Sequence, residues 1–327
     1  MLNIDGECWV ITDEAAGNQR QALSLAEHLG MPSRHLVLEP RPPWSWLAPR
    51  LMVGGRMALP AAQRAWFAPP WPAVAIGCGR AAALFTRMLR PLSAGRCHTV
   101  QILDPRMDPA LWDTVIAPRH DRLDGANVLQ PLGSLNAVDD EWLADGRDAC
   151  SHFEELQTPR VGVLLGGPRR GIALDAAYAQ ALGTRLRERQ RVEGGSLLVL
   201  ASRRTPAALT ENLRPLLADI PGLFWAGRED GPNPYPGVLG WADRLVVTPD
   251  SVNMLSEACA TGCPVLTFID APLPTRILRF HQALRDADLL HDLDATDLAA
   301  RKPLRETARI AAQVRTRILA SASASTA

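Results

Sequence analysis

The 327-residue chain has no excess of either charge: 35 basic residues are balanced by 35 acidic ones. Such a chain has no net field to draw in polyanions, which excludes nucleic acid as a general partner and leaves only local basic patches open. No apolar run approaches the roughly 18 residues of a membrane-spanning helix. The start, MLNIDGECWVITDEAAGNQ, has acids where a secretory signal needs a basic stretch and a long apolar core. Cys8, Cys78, Cys97, Cys150, Cys259 and Cys263 are scattered and form no CxxC pair. They fit buried thiols in a reducing compartment, not a disulfide framework or a zinc site. The seven histidines lack metal-ligand spacing. There is also no GxxxxGK phosphate loop and no GxSxG nucleophile elbow. The expectation is a cytoplasmic protein that binds no metal.

The length suits two domains of about 150 residues, and 47% apolar content marks an ordinary globular chain. Strand-like and helix-like runs alternate throughout, the pattern of parallel sheets built from βαβ units. In the first half, strands are expected at Cys8–Thr12, His35–Leu38, Ala73–Ile76, His98–Leu103, Asp113–Ala117 and Asn127–Leu129, with a helix from Gly17 closed by Gly30. A second series starts at Arg160. Its strands are expected at Val161–Leu165, Ser196–Ala201, Leu223–Ala226, Arg244–Val247 and Val265–Phe268, with helices at Ala173–Arg189, Ala207–Leu217 and Val252–Thr261. The polar stretch Asp139–Pro159 separates the two series. It implies a first domain over 1–150, a second over 151–302, and a C-terminal helix and disordered tail over 303–327.

Residues 41–72 break this rhythm. They hold four Arg, four Trp, seven Pro and no acidic residue. Two readings stand: a basic, aromatic surface able to rest on an anionic membrane, or a Pro-rich excursion whose tryptophans pack on the first domain.

In a parallel sheet, ligands collect beyond the C-terminal strand ends, where helix N-termini present unbonded N–H groups. Three loops of the second half qualify. Gly166-Gly-Pro-Arg-Arg-Gly171 offers small residues and guanidinium groups, and Ser202-Arg-Arg-Thr-Pro206 pairs hydroxyls with two more arginines. In TPDSVNMLSEACATGCPV, Asp250 or Ser251 can cap the helix that follows. Glu257 is not part of a capping box, because that position falls on Met254. Asn253 and Glu257 share a face, where a carboxylate can accept bonds from a ribose hydroxyl pair; the alternative is a Glu that serves the helix dipole or faces solvent. In the first half, Asp13-Glu-Ala-Ala-Gly-Asn-Gln19 offers an acid and amides at the sheet edge. His120 beside Asp121 suggests a general base or a surface imidazole, since adjacent side chains usually diverge. Gly77-Cys-Gly-Arg-Ala-Ala82 matches a GxGxxA dinucleotide fingerprint, but follows an inner strand and lacks the expected acid about 20 residues on.

The order of these pieces resembles the mitochondrial-fission ELM family of bacteria and plants, related in architecture to GT-B glycosyltransferases. The matching pieces are Asp13–Gln21 with Leu25–Gly30, Gln101–Arg106, Pro118–Asp121 with Asn127-Val128, Leu165–Pro168, Ser202–Pro206, Asn233–Tyr235 and Ala242–Val265. The resemblance implies an α/β fold: two Rossmann-like, doubly wound parallel-sheet domains facing a cleft, with the last helix returning to the first domain. It implies a glycosyltransferase with a nucleotide-diphosphate-sugar donor and no metal or other cofactor; the basic, aromatic segment 41–72 adds cell-envelope polysaccharide or lipid glycosylation as its setting. The donor site would comprise Gly166, Gly167, Ser202, Arg203, Arg204, Asp250, Ser251, Asn253 and Glu257. His120 or Asp13 would be the base, with Asn18, Gln19 and Asp121 elsewhere in the cleft. The acceptor is undefined; 41–72 would give peripheral contact with the inner membrane face. The alternative is a non-catalytic nucleotide-binding or recruitment module, since plant members of the family are associated with recruiting a fission dynamin to mitochondria. A third reading is an NAD enzyme using Gly77–Ala82.

Overall fold

The computed structural model describes residues 6–296 and 298–325, with side chains to Ser321. The chain divides into two compact units: one takes residues up to Ala137 and from Glu306 onward, the other Val138–Arg305.

In the first unit, β1 (Cys8–Thr12) leads into α1 (Ala16–Leu29), which ends at Gly30 in the left-handed conformation, φ 66°, as a helix-closing glycine should. Next come β2 (Ser33–Val37), two one-turn helices, α2 (Trp44–Leu47) and α3 (Ala61–Arg64), and β3 (Val74–Cys78). Then follow α4 (Arg80–Leu92), β4 (His98–Ile102), β5 (Thr114–Ile116) and β6 (Val128–Leu129). All six strands pair in parallel, in the order β2-β1-β3-β4-β5-β6. Strands β1, β3 and β4 are buried along their whole length, which explains the continuous apolar character of β1 and β3; β4 also buries His98, Thr99 and Gln101.

The second unit opens with α5 (Asp140–Ala149), capped by the Asp139 carboxylate on Trp142 N at 2.8 Å. A linker across 139–159 and a first domain ending at 150 were expected; instead this polar stretch starts the second unit. Small residues draw α5 in. A Cβ at Gly146 would stand 2.4 Å from the Pro236 carbonyl oxygen, and one at Gly237 would stand 2.4 Å from Cys150. The rest is β7 (Arg160–Leu165), α6 (Ala176–Glu193), β8 (Ser196–Ala201), α7 (Ala207–Leu216), β9 (Gly222–Trp225) and α8 (Tyr235–Trp241). These are followed by β10 (Arg244–Val247), α9 (Val252–Cys259), β11 (Val265–Thr267), α10 (Thr275–Asp286) and β12 (His291–Asp292). The second sheet is also parallel, in the order β12-β11-β10-β7-β8-β9.

Helix α11 (Thr307–Ser325) belongs to the first unit, where Ile310, Ala311, Val314 and Ile318 join the core with Leu25, Ala26 and Leu29 of α1. The tail expected to be disordered from Ala320 continues this helix to Ser325; residues 326–327 lie outside the described residues.

All six cysteines are free thiols, and all but Cys263 are buried. Burial pushes Cys8 up to about 12, so it stays protonated and inert at neutral pH.

Candidate functional site

Both sheets are doubly wound, so each has a point where the chain reverses its direction of growth, and the loops leaving the two central strands diverge there. In the second unit this point lies between β7 and β10. Val247 is in register with Leu164, so Thr248 and Gly166 leave the sheet side by side. Thr248 Oγ1 accepts from Gly166 N at 2.8 Å and donates to Asp250 Oδ1 at 2.7 Å. Asp250 Oδ2 accepts from Gly167 N at 3.0 Å.

These bonds assign the two glycines a role that differs from the one expected. Small residues there were to let the backbone approach a ligand, but both amides are spent on Thr248 and Asp250. The glycines instead allow three loops to close on one another. A Cβ at Gly166 would stand 2.2 Å from Asp250 Oδ1, and one at Gly167 would stand 2.4 Å from the Arg204 carbonyl oxygen. Asp250 is likewise a buried strut. Ser251, not Asp250, caps α9, its Oγ accepting from Met254 N at 3.3 Å.

The loop after β8 is tied in through Thr205, whose hydroxyl bridges the Leu165 and Gly166 carbonyls at 2.8 and 2.6 Å and accepts from Ser202 N at 2.8 Å. Ser202 Oγ accepts from Arg204 N at 3.3 Å, and Arg203 is exposed beside it.

Charge gathers on this platform. Arg169 donates to the Asp250 carbonyl at 2.7 Å, and Arg204 Nη2 lies 3.5 Å from Asp250 Oδ2. The Arg204 side chain is 60% exposed while that of Asp250 is wholly buried, so the guanidinium faces outward over a hidden carboxylate. Burial raises the Asp250 carboxyl against the opposing bonds from Thr248 and Gly167 and the Arg204 charge. The Arg169 guanidinium is pulled down by burial and by the neighbouring charges of Arg276 and Arg204, with Asp250 acting against them. Arg169 and Arg204 thus bond Asp250 at the N-terminal end of α9, with the Arg276 charge acting on Arg169, and the helix dipole adds further positive potential.

Asn253 and Glu257 lie one turn apart on α9. The expectation left open a solvent-facing Glu257; it is buried, and its Oε2 accepts a bond from the Tyr235 hydroxyl at the start of α8. Sequence reasoning passed over Tyr235, Thr248 and Arg276 as site residues. Nothing in their local spacing marks them; the resemblance alone touched Asn233–Tyr235.

Beneath the loop, buried His281 of α10 donates through Nε2 to the Pro249 carbonyl at 2.9 Å. Burial holds its pKa down at about 4, from an ordinary 6.5. Between these two values the unfolded chain takes up a proton that the folded unit refuses, so stability rises with pH in that window. Acidification from pH 7 to pH 4 is expected to cost the second unit roughly 3 kcal/mol through this group. His281→Gln should flatten the corresponding part of a melting-temperature profile; an unchanged slope would rule the assignment out.

In the first unit the switch point lies between β1 and β3. Asn18 Nδ2 donates to both Asp13 oxygens at 2.9 and 3.1 Å, Ala15 N donates to Oδ1 at 3.1 Å, and Gln19 Nε2 donates to the Asp13 carbonyl at 3.0 Å. Gly79, at φ +87°, meets the same group: a Cβ there would stand 2.5 Å from Asn18 Nδ2. Gly77 faces Thr86 and Gln101. The GxGxxA glycines therefore serve internal packing in this structure.

His120 sits in a single 3-10 turn, Arg119–Asp121, and is buried. Its Nε2 lies 3.5 Å from Asp121 Oδ1, so these adjacent side chains converge and the surface reading is overturned. Asp13 follows β1 and His120 follows β5, three strand spacings away, or about 14 Å.

Among the described residues, no group of three His, Cys, Asp or Glu side chains could hold a metal ion, and no helix is long and apolar enough to cross a membrane.

Two doubly wound, parallel six-stranded sheets with flanking helices define a GT-B-like α/β protein. Solved structures of that class match nearly the whole chain. S. aureus MnaA with UDP aligns at a TM-score of 0.55 and 10% identity, over 97% of this chain and 98% of its own. Os79 from O. sativa in complex with UDP aligns at 0.52 and 13%, over 96% and 94%. The chain belongs to the family described as Mitochondrial fission ELM1, whose profile matches residues 16–318. It is 30% identical to Mitochondrial fission protein ELM1 of Arabidopsis thaliana over 278 residues, 76% of this chain. It spans 64% of that relative's length.

Proposed function

We propose that the second unit binds a nucleoside-diphosphate sugar at the β7–β10 switch point, and that the protein is a metal-independent glycosyltransferase acting on cell-envelope polysaccharide or lipid. The observation that carries this reading is Arg169 and Arg204 on Asp250 at the N-terminal end of α9, with the Arg276 charge felt by Arg169 and the Glu257 carboxylate farther along the same helix. A diphosphate meets the first feature and a ribose hydroxyl pair the second. Structural neighbours crystallised with UDP support the same class of ligand.

In this mechanism Ser251, Asn253 and the arginines lie against the diphosphate. Arg203 and Arg204 with the α9 dipole stabilise the charge that develops as the sugar leaves, a task that needs no metal. Gly166, Gly167, Ser202 and Asp250 hold that surface rigid from beneath. Glu257, oriented by the Tyr235 hydroxyl, accepts from the ribose. The base that takes the acceptor proton is His120, oriented by Asp121, or alternatively Asp13, held by Asn18 and Gln19. Replacing each by Ala should lower transfer about a hundredfold for the true base and little for the other.

The direct test is thermal stability against UDP-, GDP-, ADP- and CMP-sugars, for the native protein and Glu257→Ala. A ligand at about a hundred times its Kd stabilises by roughly 2.7 kcal/mol. One nucleotide class should raise the native melting temperature and leave the variant near its own unliganded value. No shift with any nucleotide would overturn the donor reading. It would favour the recruitment form of the second reading, a non-catalytic nucleotide-binding or recruitment module; the Arabidopsis relative at 30% identity is described as a mitochondrial fission protein.

A further inference from the structure

The excursion between β2 and β3 is divided by burial. Phe67 is buried and packs on Trp9 and Phe85, with ring centroids 6.1 and 5.3 Å away, and Trp71 closes the same cluster. Trp44 is tied down by its indole N–H, which donates to the Val53 carbonyl at 2.9 Å. That bond, together with Arg41 Nη2 on the Met57 carbonyl at 3.3 Å, brings α2 beside residues 53–57. On the surface so formed, Trp46 is 70% exposed, Leu47 49%, Val53 83% and Met57 52%. Four large apolar side chains this open, within twelve consecutive residues, are more than the scattered exposure ordinary surfaces show.

Charge says what covers them. The segment from 41 to 72 contains no acidic residue. Among the described residues, none of Arg41, Arg50, Arg56 and Arg64 pairs with a carboxylate; Arg41 and Arg64 donate only to backbone carbonyls. The acid just before the segment, Glu39, is turned toward Glu14. Arg80 and Arg87 reach in from α4, but they too bond carbonyls: Ser45 and Trp46 for Arg80, Pro49 and Arg50 for Arg87. These contacts fix the position of α2 at the end of the sheet where α4 begins, and they add cations without acids.

We propose that this face docks on an anionic phospholipid bilayer, with Trp46, Leu47, Val53 and Met57 entering the headgroup boundary and the arginines meeting lipid phosphates. An indole with an apolar body and one N–H suits that boundary, and guanidinium groups suit phosphate oxygens. Each arginine near the surface strengthens binding about fivefold. The docking stands apart from the donor reading, since it uses no residue of the second unit.

Flotation of the full chain with phosphatidylglycerol-containing vesicles and with pure phosphatidylcholine vesicles tests it. Binding is expected to the anionic vesicles, weakened by salt, with little to the neutral ones. Trp46→Ser with Val53→Ser should lower partitioning about tenfold or more. Arg50→Gln with Arg56→Gln should lower it about 25-fold. All four side chains are surface groups, so melting temperatures should stay unchanged and report intact folds. No binding to anionic vesicles, or binding by both variants as strong as that of the native chain, would overturn the proposal. So would a dimer in sedimentation that Trp46→Ser dissolves while vesicles capture nothing, because the face would then be covered by a second copy.

Discussion

Ending the chain after Arg305 is expected to unfold the first unit and leave the second folded. Ile310, Val314 and Ile318 of α11 are buried against α1 and the sheet, in one core with Leu25 and Leu29. Burial of a large aliphatic side chain contributes about 1.5–3 kcal/mol, so these three supply roughly 5–9 kcal/mol. A whole domain has only about 5–15 kcal/mol of net stability, so the loss is of the same size as the total. Polar bonds lost at the helix start add to it. Glu306 Oε2 accepts from Leu132 N at 2.6 Å and Gly133 N at 3.2 Å. Thr307 exchanges bonds with the Asn136 backbone at 2.7 and 3.1 Å. Calorimetry of the truncated chain should show only the second unit's transition, and limited proteolysis should degrade the region before Ala137. A truncated chain that keeps both transitions would show that α11 merely covers an already stable unit.

Asp250→Ala should destabilise the second unit by about 2–4 kcal/mol, the cost of leaving two buried hydrogen-bond donors without their acceptor. The partners are specific: Gly167 N and the Thr248 hydroxyl lose an acceptor, and Arg204 loses its counter-charge. Asp250→Asn separates the parts of this effect. Its amide oxygen can still accept from Gly167 N, and its NH2 can donate to Thr248 Oγ1. What disappears is the charge and one acceptor, a cost of about 1 kcal/mol. Denaturant unfolding of both variants reads the difference. If Ala costs no more than Asn, the carboxylate is not the strut the geometry describes, and the closing of loops around it must rest on the glycines alone.

Much of the fold follows from local chemistry. Continuous apolar runs such as Cys8–Thr12 and Ser196–Ala201 suit strands covered on both faces, and both are fully buried. Gly30 and Ser251 end and begin helices by conformation and hydrogen bonding that a few neighbouring residues supply. Glycine, proline and polar clusters suggested loops correctly in most places, but 139–149 became α5, because the contact that stabilises it comes from Gly237 and Pro236 some ninety residues on.

The sequence by itself determined that this is a parallel α/β chain in two parts, that its candidate chemistry sits in loops after strands, and that Glu257 shares a helix face with Asn253. It also identified residues 41–72 as a basic, aromatic exception. Only the tertiary structure decided which loops meet. Gly166 and Asp250 are more than eighty residues apart, and strand order alone makes β7 and β10 neighbours. That adjacency turned two glycines expected to face a ligand into packing sites, hid Asp250, and gave Glu257 a tyrosine partner from another helix. Likewise, burial separated Phe67 and Trp71 from Trp46, although all belong to one run of similar composition. Hydrophobic periodicity reports which face of an element is covered; the identity of what covers it depends on long-range pairing, which no local spacing encodes.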